Sequence, residues 1–171
     1  MEPLFTNKCT YTKSTLQEAM LNYQKRQRTF VIIFMIALAV ISLLQLILSG
    51  EMPNLIFLLL LVLMFVSAFV LIPYFSANLS YKRNNEIFHE EVVNTITFFD
   101  DHFISLAMPS NATTDIQYSQ LKRVVETKQH YLLVVSQNLF YIIDKSGFDR
   151  INSLEFVKVL REKAPKAKFQ L

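Results

Sequence analysis

Glycine and cysteine are scarce in this sequence, and their scarcity excludes several kinds of site. The two glycines, Gly50 and Gly147, lie far apart. Loops that bind phosphates or dinucleotides need several glycines at close spacing, because the backbone must approach the phosphate. The single cysteine, Cys9, has no partner for an internal disulfide and makes no cysteine-based metal motif. A glycine-rich nucleotide-binding loop is therefore excluded, and the cysteine content fits a reducing compartment.

Residues that could form a catalytic or metal-binding constellation are also few. The three histidines, His89, His102 and His130, have none of the paired spacings found among zinc ligands. No G-x-S-x-G turn presents a nucleophilic serine, and the adjacent Asp100 and Asp101 are more typical of a turn than of a paired acid and base. The net charge is only +3, which does not indicate nucleic-acid binding. We therefore expect no enzyme activity, no metal, no cofactor and no nucleic-acid partner.

Charge is absent from two long stretches, residues 30–48 and 55–72. They are 19 and 18 residues long, and about 17–25 apolar residues suffice for a helix to cross the hydrocarbon core of a membrane. The connecting residues 49–54 contain Gly50 and Pro53, which favour the end of one helix and the start of the next. The sequence therefore predicts a two-span transmembrane hairpin over residues 30–72.

Two other interpretations of these stretches are weaker. A cleaved signal peptide is disfavoured because the first stretch begins only at Phe30 and a second one follows at once. Buried helices of a soluble protein usually keep some polar positions, and a chain of 171 residues has little room to bury two such helices.

Basic residues lie before the first apolar stretch and after the second, but not between them. They are Lys25, Arg26 and Arg28 before the first stretch and Lys82 and Arg83 after the second. The connection between the stretches contains no lysine or arginine. By the positive-inside rule, we expect a cell-membrane protein with both termini in the cytoplasm and the connection outside.

The first 29 residues are predicted to form a strand and an amphipathic juxtamembrane helix. Residues 4–12 are rich in threonine and weakly alternating, which favours a strand that pairs with the C-terminal part of the chain, since an isolated strand is unstable. Ser14 or Thr15 is predicted to cap the helix, with Gln17 or Glu18 as the capping-box partner. The helix either lies on anionic lipid through its basic end or packs its apolar face on the C-terminal domain.

The remaining chain is predicted to form a juxtamembrane helix over residues 73–92 and a β-rich domain over residues 93–171. That domain reads as six short strands followed by an amphipathic helix that Asn152 and Glu155 cap and that Pro165 ends, with a frayed tail behind it. The predicted fold class is a membrane α-helical hairpin plus an α+β cytosolic domain. In that domain a small bent antiparallel sheet or partial barrel is closed by the C-terminal helix.

A modest basic cluster, Lys122, Arg123 and Lys128, lies in the middle of the predicted strands. It either faces the anionic inner leaflet or a phosphorylated ligand, or it is a solvated strand face paired with Glu126. With the flanking cations it makes up the set of candidate contacts to the membrane surface or a partner: Lys25, Arg26, Arg28, Lys82, Arg83, Lys122, Arg123 and Lys128.

Two segments, YSQLKRVVET at residues 118–127 and YIIDKSGF at 141–148, resemble the YcxB-like family. This family comprises membrane proteins of unknown function found mainly in Gram-positive bacteria. The resemblance extends over nearly the whole chain and is strongest over residues 95–148. It implies a C-terminal domain similar to bacterial pleckstrin-homology-like domains, in which a strongly bent sheet is plugged by a C-terminal helix. The family supplies no catalytic residues to transfer.

These observations lead to two functional hypotheses. The first is a membrane-anchored cytosolic interaction module that binds a protein or a lipid at the inner leaflet. The alternative is an anchored subunit of an enzyme or transporter complex. The partners that we expect are the lipid bilayer and a protein partner or a second copy of the chain.

Overall fold

The structure is a computed structural model that describes residues 2–23, 25–49, 53–136 and 139–171. A short 3₁₀ turn, Tyr118–Gln120, follows the fourth strand. The helices are α1 Lys13–Tyr23, α2 Lys25–Ser49, α3 Pro53–Phe88 and α4 Ser153–Lys163. The strands are β1 Phe5–Thr10, β2 Val93–Phe98, β3 His102–Met108, β4 Ala112–Gln117, β5 Arg123–Glu126, β6 His130–Val134, β7 Phe140–Asp144 and β8 Lys168–Gln170.

The two apolar stretches form long helices, α2 and α3, which pack against each other. α3 continues through Pro73, so the second apolar stretch and the predicted helix that follows it form one helix. The helix ends at Phe88 rather than near residue 92, because His89 adopts a left-handed conformation with a φ of 56°. Its N–H still donates to Asn85 O at 2.9 Å. The left-handed backbone of His89 then ends the helix.

Within the described residues, one helix is long and apolar enough to cross a membrane, Val62–Phe88 with 27 residues. The described apolar part of α2, Thr29–Ile41, is shorter than that criterion requires. Length and composition are weak evidence alone, since the core helix of a soluble protein or a signal sequence passes the same test. The connection at residues 50–52 lies outside the described residues. In the described part of the chain, the structure supports one candidate span where the sequence predicts two.

The described strands form two four-stranded sheets and no closed barrel, in the orders β1-β2-β3-β4 and β7-β6-β5-β8. β1 pairs antiparallel with β2, with Phe5 opposite Phe98 and Thr10 opposite Val93. The prediction that the N-terminal strand joins the C-terminal part of the chain is therefore confirmed. We call the two sheets together with α4 the two-sheet domain.

β1 also joins the two sheets to each other. Asn7 is fully buried, and its side-chain amide donates to Asp144 O at 2.7 Å while its carbonyl accepts from Asp144 N at 3.1 Å. Next to this pair, Lys8 N donates to Gly147 O at 2.9 Å. A β-carbon at Gly147 would lie 2.2 Å from Lys8 O, so this close crossing requires glycine.

α4 closes the core between the two sheets, as predicted. Phe156 on this helix packs against Phe5 and Phe98 of the first sheet and against Tyr131 of the second. The predicted capping box is confirmed as well. The Asn152 side chain accepts from the Leu154 and Glu155 N–H groups at 3.0 and 2.9 Å, and the Glu155 carboxylate accepts from Asn152 N at 3.2 Å.

Two sequence predictions about the ends of the chain are wrong. The tail is not frayed, because Lys168–Gln170 form β8, which runs parallel to β5 and breaks the expected all-antiparallel arrangement. Phe169 packs on the core and anchors this strand. At the other end, α1 is capped by Thr12, whose Oγ1 accepts from Thr15 N at 3.1 Å. The helix therefore begins two or three residues earlier than a cap at Ser14 or Thr15 allows.

Candidate functional site

α1 connects the long helices to the two-sheet domain. Leu16 and Ala19 on its apolar face are buried in a cluster with Ala77 of α3 and with Val125 and Leu132 of the second sheet. The prediction that this face packs on the C-terminal domain is confirmed. The helix therefore lies between α3 and the second sheet and holds them together.

Glu18 on α1 adds a polar contact to the same sheet. Its carboxylate accepts from Gln129 N at 2.8 Å, and its other oxygen lies 3.0 Å from His130 Nδ1. Burial raises the pKa of this carboxyl, but hydrogen bonds from Thr127, Gln129 and His130 outweigh it and hold the pKa below its ordinary value. Glu18 is therefore held as a carboxylate, the form that accepts these hydrogen bonds.

A groove of about 670 Å³ opens where α1 passes into α2 beside the second sheet. We call it the junction groove. Lys25 and Thr29 on the first turns of α2 and Arg123 and Glu126 on β5 line its polar end. Its apolar wall includes Phe30 and Ile33, whose side chains are 71 and 61 % exposed. The groove thus combines cationic groups with an apolar wall that nothing in the described chain covers.

Arg123 is held at the edge of the groove by the end of α1. Its Nη2 donates to Tyr23 O at 3.4 Å, and its Cζ lies 5.5 Å from the centre of the Tyr23 ring. The Tyr23 ring in turn stacks on Phe140 with 4.9 Å between ring centres. These contacts fix the planar guanidinium at the groove, since the tyrosine beneath it is itself packed on the sheet.

Glu126 is not paired with the basic cluster, as one of the two alternatives for that cluster had it. The Lys145 ammonium lies 2.6 Å from the Glu126 carboxylate and also donates to Thr127 O at 2.8 Å. Lys145 comes from the end of β7, which the register of the second sheet brings close to the end of β5. Glu126 is therefore occupied, and the positive charge of Arg123 remains available to a ligand.

The structure brings only some of the candidate contact residues together. Lys25 and Arg123 line the junction groove, whereas Lys122 and Lys128 are exposed beside β5 and do not line it. Lys82 and Arg83 are exposed on α3, away from the groove. Arg26 and Arg28 belong to α2, but their side chains lie outside the described part of the chain.

Metal binding finds no support in the described residues, which contain no group of three or more histidine, cysteine, aspartate or glutamate side chains that could hold an ion. Two residues have structural roles that the sequence does not predict. Glu18 is predicted only as a possible capping-box partner, and Asn7 lies within the predicted N-terminal strand without a role of its own. No local signal indicates that their partners lie more than 100 residues away.

Comparison with known proteins gives one positive result. Neither the curated proteins nor the solved structures yield a match to the chain. Residues 99–160 match the family model described as YcxB-like protein. This range begins at the turn before β3 and ends in α4, so it covers less of the chain than the resemblance in the sequence suggests. It includes Arg123 and Glu126 but not α1 or α2. Over residues 99–160, the chain contains a YcxB-like domain.

Proposed function

We propose that the protein is a membrane-anchored interaction module. α2 and α3 form a two-span hairpin with both chain ends in the cytoplasm, and the two-sheet domain binds a partner at the inner leaflet. The domain is of the pleckstrin-homology-like type, a proposal supported by two sheets packed around one C-terminal helix. The proposal assigns no catalytic step to the chain.

The strand pairing between β1 and β2 is the observation that carries the topology. These strands are neighbours in one sheet, yet α2 and α3 lie between them in the sequence. Hydrogen-bonded strands must lie on the same side of a membrane, because an edge strand cannot pair across the hydrocarbon core. Any crossing between Thr10 and Val93 must therefore be matched by a return. The number of crossings must therefore be even, which favours two spans over one. Among the described residues, only α3 contains a helix that meets the length criterion.

The exposure of the helix surfaces supports insertion in a membrane. Only 12 % of the most apolar window in Val62–Phe88 is buried, whereas the core helix of a soluble protein would be mostly covered. Large apolar side chains such as Phe34, Ile47, Leu63 and Phe75 are exposed around α2 and α3. An apolar surface of this extent has to be shielded from water, and lipid is the simplest environment that shields it.

The packing of α1 supports a fixed position of the two-sheet domain at the membrane surface. Ala77 on α3 and Leu132 on β6 contact the same face of α1. A domain on a flexible tether would have no such shared core. The domain is therefore expected to present one defined surface to the inner leaflet.

Cysteine labelling in intact cells tests the topology. Cys9 is 1 % exposed, so the unmodified chain serves as a background of low reactivity. The variant E51C, in the connection, is expected to react with a membrane-impermeant maleimide, whereas S119C, exposed on the two-sheet domain, reacts only after the cells are permeabilised. Release of the protein by alkaline carbonate, or labelling of S119C in intact cells, would refute the proposal.

Photocrosslinking in cells tests the interaction role. A photoreactive residue at Lys122 or Lys128, both exposed beside β5, is expected to give discrete adducts that mass spectrometry identifies. The same residue at Ser119 is the matched control on an exposed turn. Adduct patterns that are identical at all three positions would show random collisions and would contradict a specific binding surface.

A further inference from the structure

We propose that the junction groove binds one anionic glycerophospholipid of the inner leaflet. The lipid phosphate lies between Lys25 and Arg123, and the upper part of an acyl chain lies along Phe30 and Ile33. This inference rests on the proposed topology, which brings the lipid headgroups to the level of Lys25.

The charges at the polar end of the groove are complementary to a phosphodiester. Within the described residues, no carboxylate forms an ion pair with Lys25 or Arg123. The one acidic side chain named in the groove lining, Glu126, is paired with Lys145. Lys25 and Arg123 therefore line one cavity without an ion-pair partner in the described part of the chain, and such cations bind phosphate oxygens through charge-assisted hydrogen bonds.

Arg123 is prepared for this contact by its own neighbours. Its bond to Tyr23 O uses one of the five N–H donors of the guanidinium and leaves the planar fork fixed against the tyrosine ring. An oriented guanidinium can bind two phosphate oxygens at once. Thr29 has a different role, because its hydroxyl donates to Lys25 O at 2.9 Å. Its proton is therefore used within the first turn of α2 and is not donated to the lipid.

The length of the groove matches the boundary between headgroups and hydrocarbon. From Lys25 to Ile33 a helix rises about 12 Å, whereas the polar layer on each side of a membrane is about 5–8 Å thick. A groove that begins among the headgroups thus reaches the acyl chains. Free phosphate would use only the cationic end and would leave Phe30 and Ile33 exposed, which is why a lipid fits better than a soluble anion.

Native mass spectrometry of the full chain, released from nanodiscs of phosphatidylcholine and phosphatidylglycerol in equal amounts, tests the inference. The unmodified protein is expected to retain one phosphatidylglycerol. K25Q and R123Q are expected to weaken retention about tenfold, the effect of losing one charge-assisted hydrogen bond. K166Q is the control, because it removes a lysine charge from an exposed position of the two-sheet domain that does not line the groove.

Three outcomes would overturn the inference. The first is equal retention of the two lipids, and the second is a loss in K166Q as large as that in R123Q, which would indicate diffuse attraction. The third is displacement of the lipid by glycerol 3-phosphate at equal concentration, which would indicate a soluble-anion site. R123Q is checked by thermal denaturation, and K25Q, whose side chain is exposed, is the variant expected to fold normally. Carbonate extraction of both variants separates failure of lipid binding from failure of the membrane topology.

Discussion

Glu18 on α1 and His130 on β6 are 112 residues apart in the sequence, and the carboxylate of one lies 3.0 Å from Nδ1 of the other. The imidazole is buried, and the neighbouring Gln129 N–H donates to the same carboxylate at 2.8 Å. This contact adds to the apolar packing of Leu16 and Ala19 against the same sheet. α1 is therefore attached to the second sheet by both polar and apolar contacts.

Substitution of Glu18 tests the strength of this attachment. E18Q keeps the size of the side chain but loses the charge that His130 and Gln129 contact, and we expect the free energy of unfolding to fall by about 1–3 kcal/mol. Thermal denaturation of the full chain in detergent measures the change. K13Q removes a charge from an exposed position of the same helix and is expected to have almost no effect. Equal stability of the two variants would mean that the polar contact contributes nothing.

The same contact predicts a dependence of stability on pH. The pKa of Glu18 lies below its ordinary value of 4.5 in the folded chain. A carboxyl with a depressed pKa contributes stability above its unfolded pKa and loses that contribution as the pH falls through the folded pKa. We expect the difference in stability between the unmodified chain and E18Q to be full above pH 4.5 and to shrink below it. A difference that grows on acidification would contradict the sign of this shift.

Phe156 is expected to be the most sensitive position of α4. F156A removes a ring that contacts both sheets, and loss of such a buried ring costs about 3–5 kcal/mol. L154A is the control on the same helix, since Leu154 is 74 % exposed. Chemical denaturation should show a large fall in midpoint for F156A alone. Similar midpoints would mean that α4 does not close the core.

Asn7 is expected to stabilise the crossing between the two sheets. N7A leaves the N–H of Asp144 without its acceptor, at about 1–3 kcal/mol for an unsatisfied group, whereas Asp144 O still accepts from Gly147 N at 3.1 Å. K8A, at an exposed position of the same strand, keeps both bonds and should unfold like the unmodified chain. Hydrogen exchange of the Asp144 amide gives a local readout, which N7A should accelerate.

Cys9 is expected to report unfolding of β1. Burial raises the pKa of its thiol to about 12, and only the thiolate reacts with maleimides or disulfide reagents. Labelling at neutral pH should therefore be slow in the folded chain and fast in denaturant. Rapid labelling of the folded chain would indicate that β1 detaches readily from the sheet, and N7A is the variant that should increase the rate.

Local patterns in the sequence predicted most of the secondary structure. The alternation of Ile96 and Phe98 indicated a strand, and Asn152 with Glu155 indicated a helix start. Both signals depend on neighbours in the sequence, so they can be read without the tertiary structure. The closing role of α4 followed from its apolar stripe, because a helix with such a stripe must cover a core.

The contacts that build the junction groove could not be predicted in the same way. Arg123 meets Tyr23 across 100 residues, and its position depends on how α1 packs against the second sheet. β8 was missed because three residues carry too little pattern, although Phe169 anchors them to the core. The basic cluster was identified from composition alone. The pairing of Glu126 with Lys145 depends on the register of β5, β6 and β7, which the sequence does not specify.

The pairing of β1 with β2 also has a consequence for biosynthesis. β1 has to wait unpaired until residues 93–98 leave the ribosome, roughly 4–17 s later at about 5–20 residues per second. In the proposed topology, the hairpin inserts during that interval and brings the two ends of the intervening segment back to the same membrane surface. The search for the partner strand is then shortened, because the closure of a long loop has already occurred in the bilayer. In that topology, membrane insertion is the first folding step of a domain that lies outside the membrane.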